Sequence, residues 1–137
     1  MSAALRAILA GAALAVAAPA IAHSAPDYGP RDDTERGLWQ QMDEYERELK
    51  NSSFIMTDPA LNAYVKGVLC KTVGAERCQN TRIYIMRTPH YNAMMAPNGM
   101  MVVWSGLLLR TRNEAELATV LGHEFAHFEK RHSIQLY

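Results

Sequence analysis

Apolar residues recur every three or four positions in three separate stretches of the chain. Leu38, Met42, Tyr45 and Leu49 form one stripe, which predicts a helix over about residues 32–50, ended by Asn51-Ser52-Ser53. Between these positions, Asp43-Glu44 and Glu46-Arg47-Glu48 read as a solvated face with local ion pairs. Leu61, Tyr64, Val65, Val68 and Leu69 form the second stripe. Asp58 is placed to cap this helix, Pro59 suits its first position, and Gly74 marks its exit. The third stretch opens at Asn113, a good N-cap, with Glu116 in the capping-box position three residues on. Ala115, Leu117, Ala118, Val120, Leu121 and Phe125 make this helix apolar over much of its circumference, so it is expected to be largely buried.

Between the second and third helices the pattern changes period. Arg82-Ile83-Tyr84-Ile85-Met86-Arg87 is rich in β-formers and predicts a strand, broken by Pro89. Residues 91–96 and 100–104 predict a β-hairpin about Pro97-Asn98-Gly99, because Asn-Gly tolerates positive φ. Its methionines read as adaptable core filling rather than a copper or cofactor site. His90 reads as a surface-loop residue, and Gly106-Leu107-Leu108-Leu109 as a short apolar turn. Helix, helix, strand, hairpin and helix make an α+β domain over residues 32–137.

The first 22 residues change the picture of where the protein works. Arg6 precedes an alanine-rich apolar run, and Ala20-Ile21-Ala22 has the small-x-small form of a signal-peptidase site. The run is short for a transmembrane helix, which needs about 20 apolar residues. An uncleaved anchor is the alternative. Cleavage after Ala22 would leave a chain, periplasmic or otherwise exported, of 115 of the 137 residues, enough for one small domain. Residues 23–31, with Pro26, Gly29 and Pro30, read as a flexible lead-in. Removing Arg6 from 14 basic residues leaves 13 against 14 acidic ones, which gives no reason to expect nucleic-acid binding or strong attraction to an anionic membrane. The only two cysteines, Cys70 and Cys78, predict one disulfide in an exported chain; their spacing does not suit a zinc knuckle.

The candidate chemistry lies in the third helix, at Gly122-His123-Glu124-Phe125-Ala126-His127. His123 and His127 fall about 40° apart in azimuth and about 6 Å apart along a helix. Two imidazoles so placed can close on one zinc ion at about 2.0–2.1 Å each. Glu124 projects from the next azimuth, where its carboxylate can act as general base on an activated water. The alternative is an amphipathic helix that happens to carry two histidines and a solvated glutamate; the caps and the surrounding apolar residues argue against it. No third protein ligand fits. Glu129 is about 200° round from His127, and Glu116 is about 10 Å along the axis from His123. His132 stands nine residues past His123 where a metzincin needs ten; Lys130 and Ser133 occupy its turn and ligand positions.

A run of segments carries a family resemblance: Asn92-Ala93-Met94-Met95-Ala96-Pro97-Asn98-Gly99, Trp104-Ser105-Gly106-Leu107-Leu108, Asn113-Glu114-Ala115-Glu116-Leu117-Ala118, Leu121-Gly122-His123-Glu124-Phe125-Ala126-His127 and Arg131-His132. In this succession they resemble the zinc metallopeptidases that include HtpX and the CAAX prenyl endopeptidases, and most of all the soluble, exported, single-domain branch of Gram-negative bacteria. The likeness covers about residues 32–137 and is most specific from Asn92 onward.

The resemblance implies a zincin-like gluzincin fold and one Zn2+ on His123 and His127, with Glu124 as the base. A glutamate on a later helix would complete the metal site, so the chain is expected to be the front part of a longer protein. It also implies an endopeptidase acting on protein or peptide substrates in envelope quality control, with a peripheral association with the envelope membrane or its proteins. A strand of the hairpin, through Asn92, Ala93 and Met94, would pair with an extended substrate. The rival reading is a non-catalytic exported adaptor or chaperone-like domain, since two histidines alone bind zinc weakly.

Overall fold

The computed structural model describes residues 26–135. The leader expected at residues 1–22 lies outside them. Local capping sets the helix starts. Helix α1 (Asp33–Lys50) is capped by Asp32, whose carboxylate accepts from the Glu35 N–H. A short strand β1 (Ile55–Met56) precedes α2 (Pro59–Val73), where the Asp58 carboxylate accepts from the Leu61 N–H and Gly74 ends the helix at φ +98°. Next come one helical turn α3 (Ala75–Cys78), strand β2 (Arg82–Met86), and the hairpin of β3 (Ala93–Met95) and β4 (Met100–Trp104). Gly99 takes the left-handed turn position at φ +87°. Helix α4 (Ser105–Arg110) leads to α5 (Glu114–Glu129), capped by the Asn113 side chain on the Glu116 N–H. The Glu116 carboxylate reaches back to the Arg112 N–H.

The described residues thus form a mixed α+β domain with a four-stranded sheet in the order β1-β2-β4-β3. β2 and β4 run parallel, with Arg82 opposite Met100 and Met86 opposite Trp104; the two outer strands are antiparallel to their neighbours. Three elements are additions to the sequence reading. β1 has two residues and exists only by pairing with β2. α3 is a single turn inside the Cys70–Cys78 loop, and the expected turn at Gly106 is helical.

Side-chain alternation splits the core into two layers. Ile85, Ala93, Met95, Met101 and Val103 face α2 and α5, whereas Ala96, Met100 and Val102 face Leu49 and Met42 of α1. Met100–Val103 is buried on both faces, as the central position of β4 requires. The methionines at 95, 100 and 101 fill core, as their composition suggested. Phe125 and Leu121 are wholly buried, each contributing about 2 kcal/mol of apolar transfer energy.

Two expectations are corrected here. α5 buries one stripe (Leu117, Leu121, Phe125, Phe128), while Ala115, Ala126 and His123 are exposed, because small or polar residues occupy its other side. Glu46 is not on a solvated face. It is 4% exposed, and its carboxylate accepts from Arg82 Nε at 2.6 Å, Arg82 Nη2 at 2.7 Å and the Tyr84 hydroxyl at 2.6 Å. Glu44 and Arg47, by contrast, form the expected exposed local pair.

Gly106 admits no side chain. A Cβ there would stand 2.2 Å from the Pro89 carbonyl oxygen and 2.3 Å from that of His90. The approach is fixed by the Gly106 N–H donating to Thr88 O at 2.8 Å and by Ser105 bonding both Thr88 main-chain groups. Backbone cannot yield as a flexible side chain does. Gly106→Ala is expected to destabilise by about 3 kcal/mol or more, read as a lower urea midpoint at unchanged m. A midpoint within error of the parent would show that the loop at 89–90 is free to move.

Candidate metal centre

The final two turns of α5 bring the candidate residues together. Leu121, Phe125 and Phe128 anchor its inner stripe, which leaves His123 and His127 on the opposite side, exposed to half-buried, with half-buried Glu124 on the flank. His123 and His127 converge: their Nε2 atoms lie 3.0 Å apart and their ring centroids 4.5 Å apart, edge to face. Two ligands on one tetrahedral zinc at about 2.0–2.1 Å stand about 3.3 Å apart, so a few tenths of an ångström of ring movement would admit the ion. Imidazole nitrogens are also suitable donors for zinc. The residues present fit the group, as half of its shell.

Among the described residues no third His, Cys, Asp or Glu joins the pair. The nearby acids are engaged elsewhere. Glu129 accepts from the Tyr28 hydroxyl at 2.8 Å and from Arg77; burial would raise its pKa, but Arg77 and Tyr28 outweigh that and hold it below the usual carboxylate range. Glu116 is occupied by Arg112. His132 faces the far side of His127, with the two Nδ1 atoms 2.7 Å apart.

The helix end that carries His132 is built in an unusual way. The N–H of His132 bonds His127 O at 3.0 Å and the N–H of Arg131 bonds Phe128 O at 2.9 Å, the pair of bonds of a Schellman cap. The left-handed residue such a cap needs is Arg131, at φ +56°, where glycine is the usual occupant. Arg131 is held by Glu35, with its Nε at 3.2 Å from Oε1 and its Nη2 bonding Oε2, and by the Gly29 carbonyl at 3.2 Å. Hydrogen bonds from Arg131 and from the Arg31 N–H keep the Glu35 carboxyl below its ordinary range. Part of the stretch read from sequence as a flexible lead-in therefore makes contacts: beside Gly29, Tyr28 lies 4.8 Å from the Phe128 ring and 6.1 Å from that of Phe125. Sequence reading weighed His132 only as a ligand. A histidine just past the end of a helix carrying two others was the signal for a supporting role.

Cys70 and Cys78 form the expected disulfide, with Cα atoms 5.3 Å apart. It closes the turn that presents Arg77 to Glu129 and to the Phe125 ring. The hairpin residues are separated by the pleat. Met94 is at the surface and Ala93 is buried, while exposed Asn92 accepts from the N–H of Ala93 through its own side chain. His90 is exposed and lies beside Trp104.

A helix presenting two convergent imidazoles and an adjacent carboxylate on an α+β frame is the arrangement of metallohydrolases of the His-Glu-x-x-His type. The profile of Peptidase family M48 matches residues 68–137, and the chain belongs to that family. Similar proteins include the Beta-barrel assembly-enhancing protease of Escherichia coli (strain K12), 29% identical over 91% of this chain and 27% of its own length. That of Yersinia pestis is 32% identical over 78% of this chain and 23% of its own length. Metalloendopeptidase OMA1, mitochondrial, of Homo sapiens is 33% identical over 67% of this chain and 19% of its own length. The chain spans about a quarter of the length of the bacterial relatives it matches.

Proposed function

We propose that this chain carries the catalytic helix of an exported zinc-dependent endopeptidase with a zincin-like fold, acting on envelope proteins. The observation that carries the reading is the 3.0 Å convergence of the His123 and His127 Nε2 atoms beside Glu124 in a chain of family M48. His123 and His127 would hold the metal. When bound, zinc supplies Lewis acidity to a water and to a scissile carbonyl. Glu124 accepts the proton of the attacking water and delivers it to the leaving amine.

The sheet edge supports a polypeptide substrate. β3 is paired on one side only, with Asn92 and Ala96 bonded to β4 through the Trp104 N–H and the Met100 carbonyl. Alternation then turns the carbonyl of Ala93 and both main-chain groups of Met95 to the open side, where an extended chain can pair. Beside it runs an apolar groove of about 480 Å3 between Leu38 and Met42 of α1 and Met94, Ala96 and Pro97. The bacterial relatives are named for enhancing β-barrel assembly, which supports proteins of that kind as the substrate class.

Zinc content of the purified chain after dialysis against metal-free buffer tests the reading. Two imidazoles hold the ion weakly, so zinc below one per chain but above that of His127→Ala is expected. The same zinc content in the parent and in His127→Ala would remove the pair as ligands.

A further inference from the structure

We propose that His132 is a positioning residue for the metal centre: its Nδ1 accepts a hydrogen bond from His127 Nδ1–H and so leaves the His127 Nε2 lone pair free for the ion. The assignment rests on the metal reading above. It starts from the 2.7 Å separation of the two Nδ1 atoms, which is a hydrogen bond and needs one proton between them. A neutral imidazole bears a single N–H, so a His127 that binds metal through Nε2 must carry its proton on Nδ1. The Nδ1–Nδ1 bond then has one direction, with His132 the acceptor and its own proton on Nε2. A ligand histidine whose second nitrogen donates to a fixed acceptor is fixed in tautomer and ring angle, and is a better base.

The acceptor is itself held in place. Its main-chain N–H is bonded to His127 O across the Schellman cap, so His132 meets His127 through both backbone and ring. The left-handed backbone that turns it there is carried by Arg131 and tied through Glu35 to the first turn of α1 and through Gly29 to the lead-in. A glycine would suit that backbone better. The arginine makes sense as a brace.

The test uses the full chain and Zn2+ alone, titrated against a chromophoric chelator at about pH 8, where ordinary imidazoles are neutral. His132→Ala is expected to weaken zinc binding about 10- to 100-fold. His132→Asn, whose Oδ1 sits where Nδ1 was and only accepts, is expected to restore most of the affinity. In the zinc-loaded parent, 15N spectra should show a proton on His127 Nδ1 with coupling across the bond to His132 Nδ1. Unchanged affinity in His132→Ala with zinc still bound overturns the assignment alone. So does a failure of His132→Asn to rescue while melting like the parent. A parent chain that binds no zinc overturns the metal reading and this assignment with it.

Discussion

In an active form of the endopeptidase proposed above, Glu124→Gln is expected to lower kcat/KM for peptide hydrolysis by roughly 10³-fold while the zinc content stays that of the parent. That factor is about 4 kcal/mol of transition-state free energy, typical of losing a general base. Gln keeps the size and shape of the side chain and can still hydrogen-bond a water. It cannot take the proton. The substitution should cost little stability, because Glu124 is half-exposed and is part of no ion pair described above. His127→Ala should instead lose metal and activity together, so the two variants separate proton transfer from metal holding. The check is a fluorogenic-peptide assay with metal analysis on the same samples. Residual activity above a tenth of the parent would remove Glu124 from the role of base.

The helices of this fold were legible because their boundaries are written in local hydrogen-bond chemistry. Asp32, Asp58-Pro59 and Asn113 each cap within three residues, and Gly74 and Gly99 mark two of the three positive φ angles among the described residues. The convergence of His123 and His127 is a helical repeat and was visible in the same way. What escaped is what depends on distant partners. β1 is two residues long and is defined only by Ile85 and Met86 across the ladder. Glu46 sits in a run of charges that reads as solvent-facing. Its burial follows from Arg82, 36 positions later. The role of His132 was hidden because its spacing rules it out as a ligand, while its contact with His127 depends on a left-handed turn at an arginine. No local pattern announces that turn.

Removing the partner of Glu46 is the second large expected effect. Arg82→Met should destabilise the fold by about 3 kcal/mol at neutral pH, since it leaves a buried carboxylate with only the more distant Lys50, at 3.7 Å, as its cation. Arg82 is partly exposed, so the lower end of the usual range for breaking such a pair applies. Burial by itself would push the Glu46 pKa up, but hydrogen bonds from Arg82 and Tyr84 and the charges of Arg82 and Lys50 outweigh it and hold the group at about 2. Burial and the Glu46 carboxylate in turn push the Tyr84 hydroxyl up to about 12. The folded value of Glu46 lies below its ordinary 4.5. Its contribution is therefore complete above about pH 4.5 and is lost as pH falls from there towards 2, amounting to about 3 kcal/mol. In Arg82→Met the burial remains while only Tyr84, Asn98 and Lys50 still favour the carboxylate, so the folded pKa moves up and less stability is lost on acidification. The parent should melt at a higher temperature than the variant at pH 7, with the gap closing between about pH 4.5 and 2.5. Glu35 and Glu129, also held low by arginines, lose stability over the same acid range in both proteins and cancel from the comparison. Melting curves at pH 7, 5, 4 and 3 would decide it. A gap that stays constant across that range would mean that Arg82 acts by packing rather than by charge. The pair matters to the site because α1 is pinned to β2 at Glu46 and braces Arg131 at Glu35, so loosening one end of that helix would be felt at the turn that carries His132.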